Sequence, residues 1–180
     1  MQSEPERLHA PWRMEYVEQT GQPSCECIFC AKPQQESDEA NLIIHRGTHN
    51  FIILNAFPYN NGHLMIIPYQ HISVFTELTY ESLQEMMQLA QLAVAALQRA
   101  MRPDGFNLGM NIGRTAGGGI AEHLHLHIVP RWNGDTNFMP VIGNVRVLPE
   151  SLERTWAKIC ASFSAVLREG SESGPGCPPG

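Results

Sequence analysis

From His123 to Ile128 the chain alternates histidine with aliphatic residues: His123, Leu124, His125, Leu126, His127, Ile128. A period of two is the period of a β-strand, in which residues i, i+2 and i+4 face the same way. The pattern therefore predicts a strand over 123–130 with three histidines on one face. Leu124, Leu126 and Ile128 on the other face pack against a core. An exposed polar face would ordinarily carry mixed polar residues, so three histidines in register point to chemistry. They do not all serve one ion. At ~3.3 Å per residue the first and third lie about 13 Å apart, while metal–nitrogen bonds are about 2 Å. One metal reaches two of them at most, so the three have different tasks.

Gly117, Gly118 and Gly119 stand just before the histidines. Glycines let backbone N–H groups come close to an anion. Neutral imidazole is a good nucleophile near neutral pH. Together these features predict a site for phosphoryl or nucleotidyl transfer through a histidine.

The rest of the chain reads as a single α+β domain with a mostly antiparallel sheet. Residues 1–24 are polar, with Trp12 and Tyr16 as anchors, and are expected to form an N-terminal arm. The domain proper is expected over 25–168, with 32–40 as a polar connector. β-rich runs separated by turn residues predict strands near 42–46, 50–55 and 63–68, followed later by one over 105–113. Leu83, Met87, Ala90, Val94, Leu97 and Met101 recur at steps of three and four, predicting a helix over 79–101 with those residues on its buried face. "RPDG" stops it. Residues 150–168 predict a second helix with Leu152, Trp156, Ile159 and Phe163 as its apolar stripe. The composition of the end, "GSESGPGCPPG", predicts a disordered tail, taken as 169–180.

Composition narrows the partners. The chain has 180 residues, a net charge of −6 and no basic stripe, which disfavours a general nucleic-acid binder. No apolar run approaches the ~20 residues of a membrane span, and the first residues lack the layout of a secretory signal. A cytoplasmic protein with reduced thiols is expected. The five cysteines are an odd number, and three fall in "CECIFC", which reads as metal binding or idle thiols before a disulfide framework.

The motifs taken jointly resemble the histidine-triad (HIT) family. "HLHLHIV" is similar to its His-x-His-x-His-hydrophobic-hydrophobic signature, and "NGHLMIIPYQH" to its Gly-His strand ending in Pro-x-x-His. "NIGRTAGGGIAEH" resembles its Asn-x-Gly-x-x-Ala-Gly segment. "CIFC" resembles the Cys-x-x-Cys of many bacterial members. "APWRMEYV" and "PRWNGDTNFMPVIGN" resemble a longer branch of diadenosine tetraphosphate phosphorylase- and hydrolase-like proteins.

The resemblance implies a five-stranded antiparallel sheet with two helices, a homodimer, and cleavage of a nucleoside monophosphate from a leaving group. It makes His125 the nucleophile, forming a nucleotidyl-histidine, and His127 a donor to the phosphate or bridging oxygen. His63 completes the tetrad, and the carbonyl of His123 holds the other nitrogen of His125. Asn111 with the N–H groups of Gly117, Gly118 and Gly119 would hold phosphate oxygens. Asn55 stands where relatives often carry a ribose-binding Asp, and Ile53 is a candidate for the base pocket. The loop before His123 is one residue longer than is typical and lacks the usual Gln or Ser. His127 in the third position departs from the hexose-1-phosphate uridylyltransferase pattern, which has Gln. For zinc the resemblance implies Cys27, Cys30, His71 and His123 in a closed structural site, with Cys25 a rival ligand; no organic cofactor is expected. Two alternatives to dinucleotide cleavage stand beside it: an adenosine phosphoramidate hydrolase and a non-catalytic nucleotide-binding protein.

Overall fold

A computed structural model describes residues 27–117, 119–135 and 149–172. The N-terminal arm with Trp12 and Tyr16, Cys25, Gly118, the loop over 136–148 and the last residues from 173 lie outside them.

The β-rich runs form β1 (Ile43–Arg46), β2 (Asn50–Leu54) and β3 (Leu64–Pro68), joined later by β4 (Gly105–Met110) and β5 (Leu126–Arg131). They make one sheet of order β1-β2-β3-β5-β4, every neighbouring pair antiparallel. The expected α+β fold with a five-stranded antiparallel sheet is what the chain adopts.

Period two sorts the side chains onto two faces. Ile52, Leu54, Leu64, Ile66, Leu126 and Ile128 point to one side. There they pack under two long helices, α3 (Tyr80–Met101) and α4 (Leu152–Glu172). Thr79 caps α3 by accepting the Ser82 N–H, and Arg102 ends it in the left-handed region at φ 50°. Trp156 on α4 donates its indole N–H to the Ile43 carbonyl at 2.9 Å, tying the helix to the edge strand.

The helix faces hold one correction. The expected stripe of α3 included Met87, but Met87 is 56 % exposed and Met86 is buried. Ala90 and Leu97 are buried as expected; Leu83, Val94 and Met101 pack only partly against the core. The buried face is centred on Met86, Leu89, Ala93 and Ala96, rotated from the one that spacing alone selects. Small alanines allow α3 to sit close to the sheet, and spacing does not register size. On α4, Ile159 and Phe163 are buried and Leu152 and Trp156 partly so, as expected, and the helix continues to Glu172, past residue 168.

The other face of the sheet carries the row Ile43, Ile53, Met65, His127, Gly109, read straight across the register. It is covered by α1 (Ile28–Ala31), whose Phe29 packs with Phe51, Ile53, Met65 and Ile67. The expected connector 32–40 folds instead into a short 3-10 turn and α2 (Asp38–Asn41), capped by the Ser37 hydroxyl. The histidine strand is shorter than expected. Its ladder begins at Leu126; His123 lies in a bend and Leu124 and His125 lead into the strand outside the ladder, with Leu124 N–H bonded to the Ile72 carbonyl at 2.7 Å.

Candidate functional site

The alternation places the three histidines on the face away from the long helices, all nearly buried. Each has a distinct partner. His125 Nδ1 lies 2.8 Å from the carbonyl oxygen of His123. A carbonyl only accepts, so Nδ1 carries the proton and Nε2 keeps its lone pair. Among the described residues nothing hydrogen-bonds that Nε2. Burial lowers the His125 pKa, partly opposed by the carbonyl bond, which favours the neutral ring.

His127 sits beside it, ring centroids 4.6 Å apart and nearly perpendicular. Its Nδ1 is 2.9 Å from His63 Nε2, joining the end of the loop before β3 to β5. His63 is fully buried, and its Nδ1 accepts the Tyr59 N–H at 3.0 Å. The Tyr59 ring lies against both His63 and His127. Asn111 follows the end of β4 and puts its amide 3.4 Å from His127 Nε2. Thus His63, Asn111, His125 and His127, which come from three segments, converge on one spot.

The remaining expected substrate residues are placed less directly. Gly117 adopts φ 82°, closing the 3-10 turn Arg114–Ala116, and Gly119 follows it. Ile53 is 2 % exposed in the apolar layer beneath Phe29, one strand beyond Met65, the neighbour of His127. Asn55 turns inward: its Oδ1 accepts the Phe57 N–H at 2.9 Å and its Nδ2 lies 3.2 Å from His63 Nδ1.

His123 faces a second cluster. Ligand atoms of Cys27, Cys30, His71 and His123 all lie within 4.8 Å of one another. Cys27 Sγ is 3.3 Å from His123 Nδ1, and Cys30 Sγ is 3.4 Å from His71 Nδ1. His123 Nε2 donates to the Pro68 carbonyl at 2.9 Å, so its lone pair is on Nδ1, facing the thiols. Two sulfurs and two ring nitrogens are the donor set of a closed tetrahedral zinc site, and this cluster could hold such an ion. Burial lowers the His123 pKa, as do His71 and His125, against the bond to Pro68, favouring the neutral ligand form.

Two contributors carried no sequence signal. Phe29 meets the rings of both His123 and His125 edge-on, at 5.6 and 5.2 Å. It lies between the two cysteines of the Cys-x-x-Cys, so two of the residues that could hold a metal and the packing on His125 come from one short segment. The Tyr59 amide acts through its backbone, which no residue type reveals.

Comparison with known proteins agrees with this geometry. The HIT domain family model matches residues 35–134. An AP-4-A phosphorylase of Mycobacterium tuberculosis is 41 % identical over 157 residues, covering 83 % of this chain and 80 % of that one. A histidine triad nucleotide-binding protein from Sulfolobus tokodaii has a similar structure, with TM-score 0.67 at 28 % identity, covering 83 % of this chain and all of the other. A zinc-bound histidine triad family protein from Mycobacterium smegmatis gives TM-score 0.66 at 26 % identity, covering 80 % and 97 %. With a matching family model over more than half its length and the histidine constellation intact, this chain belongs to the HIT domain family.

Proposed function

We propose that this chain is an enzyme that cleaves dinucleoside polyphosphates, such as diadenosine tetraphosphate, by nucleotidyl transfer through His125. The observation that carries the reading is the His125 ring itself. Its Nδ1 is held by a carbonyl, its Nε2 lone pair is unengaged by any described residue, and a second histidine is in contact.

The step balances as follows. His125 Nε2 attacks the α-phosphorus, and the bond from phosphorus to the bridging oxygen breaks. The leaving nucleotide takes the proton that His127 holds on Nε2. Asn111 and the backbone around Gly117, Gly118 and Gly119 hold the phosphate oxygens as charge builds on them. An oxygen of inorganic phosphate then attacks the same phosphorus, the new phosphorus–oxygen bond forming as the phosphorus–nitrogen bond breaks; the proton of the attacking phosphate passes to His127, and His125 is freed. Splitting one displacement into two is the gain of covalent catalysis. The similarity to a protein named as a phosphorylase favours phosphate over water as acceptor.

Zinc in the Cys27, Cys30, His71 and His123 cluster would be structural, since four protein ligands leave no open position. It would fix α1 against the histidine segment, and no reaction step passes through it. A homodimer is supported by β4. This edge strand has no charge or proline within Gly105–Met110 to discourage pairing. Leu108 and nearby Ile112 are about half exposed, at 46 % and 51 %. Light scattering should give twice the chain mass, and Leu108→Lys should shift it toward the monomer. A cytoplasmic location agrees with Cys27, Cys30 and Cys160 lying outside any disulfide. No described helix is long and apolar enough to cross a membrane.

The test is incubation with diadenosine tetraphosphate, with and without phosphate, followed by nucleotide separation. ADP and ATP formed only with phosphate is the expected result. AMP and ATP regardless of phosphate would make it a hydrolase. No turnover alongside tight AMP binding would overturn the dinucleotide reading.

A further inference from the structure

We infer that Asn55, together with the Tyr59 amide, is a positioning residue that sets which nitrogen of His63 carries the proton and thereby aims the proton of His127 at the substrate. The inference rests on the proposed nucleotidyl transfer and concerns how that site keeps its donor in place.

The first two groups in this chain of contacts, the Asn55 amide and the His63 ring, are pinned by backbone N–H groups. The Phe57 N–H can only donate, and it meets the Asn55 side chain at 2.9 Å, so that atom is the amide oxygen. The other end of the amide, 3.2 Å from His63 Nδ1, is therefore the NH2 donor. The Tyr59 N–H, also a donor only, reaches the same Nδ1 at 3.0 Å. With two donors converging on it, Nδ1 cannot hold a proton of its own. In the neutral ring the proton is on Nε2, where it is donated to His127 Nδ1 at 2.9 Å. His127 then accepts through Nδ1 and holds its own proton on Nε2, 3.4 Å from the Asn111 side-chain amide, which with this tautomer turns its oxygen to that proton and leaves its NH2 for the substrate. That is the nitrogen the leaving group needs. An inverted His63 would present a lone pair to His127 Nδ1, draw the proton there, and leave no donor facing the substrate.

This gives Asn55 a task apart from a ribose contact, and the two make opposite predictions for one substitution. Asn55→Asp keeps an oxygen for the Phe57 N–H, so the turn is preserved. It replaces the donor beside His63 Nδ1 by an acceptor. A ribose contact would tolerate the change, since a carboxylate binds hydroxyls well. A tautomer lock would not.

The experiment uses full-length, metal-loaded protein labelled with 15N-histidine. Two-bond 1H–15N spectra assign the tautomers of His63 and His127, and kcat and KM are measured with diadenosine tetraphosphate and phosphate. In the wild type both rings should appear as Nε2–H. Asn55→Asp should move a proton onto His63 Nδ1, change the His127 signature, and lower kcat at least about tenfold, with KM within about twofold. Asn55→Ala leaves the Tyr59 donor in place and should keep the wild-type tautomers with a smaller loss of kcat. If Asn55→Asp leaves His63 as Nε2–H, or if its loss falls in KM alone, the inference is overturned. Wild-type protein inert toward nucleotides would remove the nucleotidyl-transfer reading, while the tautomer spectra would still decide the role of Asn55.

Discussion

At the scale of single residues, the site is a set of rings whose protons are placed by the backbone. His123 donates to the Pro68 carbonyl, His125 to the His123 carbonyl, and His63 accepts from the Tyr59 amide. Rings held this way would need no reorganisation for the proposed transfer. His125→Ala removes the proposed nucleophile and its bond to the His123 carbonyl but leaves the other hydrogen bonds of the site in place. Turnover should fall by at least about a thousandfold while nucleotide affinity in calorimetry changes little. Equal turnover in the variant and the wild type would rule out His125 as the nucleophile. This much was legible in the chain: period two puts His123, His125 and His127 on one face, and the 13 Å argument separates the first from the third. The contacts of Phe29 with the histidines and of Asn55 with His63 were not legible. Phe29 lies 94 positions from His123 and meets it only through folding, and Asn55 acts through a ring nitrogen whose state depends on Tyr59 N–H.

At the scale of elements, strands and helices were readable and their contact surfaces less so. The helix over 79–101 was legible, but the side-chain spacing favoured Met87 where the fold buries Met86. Both choices fit a 3.6-residue period, and only the sheet decides between adjacent positions. Met86→Ala should therefore cost about 2–5 kcal/mol in denaturant melts, and Met87→Ala less than about 0.5 kcal/mol. Reversal of that order would contradict the helix orientation. The same helix staples the β1–β2 turn through Glu85, another residue the pattern did not reveal. Its carboxylate accepts from the backbone N–H groups of Thr48, His49 and Asn50 and from the Asn50 side chain, at 2.6 to 2.8 Å. Gly47 is required beside it, because a Cβ there would stand 2.8 Å from the Asn50 carbonyl oxygen. Burial pushes the Glu85 pKa up, but these four hydrogen bonds outweigh it and leave the pKa below the usual 4.5. With a lowered folded pKa, the unfolded chain takes up the proton first as pH falls. The stabilisation is thus complete above the ordinary carboxylate range and is lost as pH drops through the folded pKa. Glu85→Gln should lower stability at pH 7 by about 1–2 kcal/mol, allowing for partial exposure, and by less near pH 3. A Glu85→Gln penalty that is the same at both pH values would show that the charge contributes nothing.

At the scale of the whole molecule, the fold brings three distant segments to one point. Cys27 caps α1 and Cys30 lies in it, His71 follows β3, and His123 precedes β5. The resemblance of short motifs named these four residues; the distances between them belong to the folded sheet, since β3 and β5 are neighbours only because the chain between them crosses over as α3 and returns through β4. His123 belongs to both centres, because its ring faces the thiols and its carbonyl holds His125. An ion bound there stabilises the native state by mass action, about 4 kcal/mol when its free concentration is a thousand times its Kd. At 2–4 °C per kcal/mol for a chain of this size, chelation should lower Tm by on the order of 10 °C. Turnover should fall with it, because α1 and Phe29 are then held against the histidine segment by packing alone. Cys30→Ser should bind less than the expected single zinc per chain and show a Tm that no longer responds to chelator. The wild type would be measured alongside it by native mass spectrometry and thermal melts. If intact wild-type protein carries no zinc and its Tm ignores the chelator, the cluster is only a pair of thiols near two histidines, and the hold on His125 comes from the His123 carbonyl and the Pro68 bond without help from a metal.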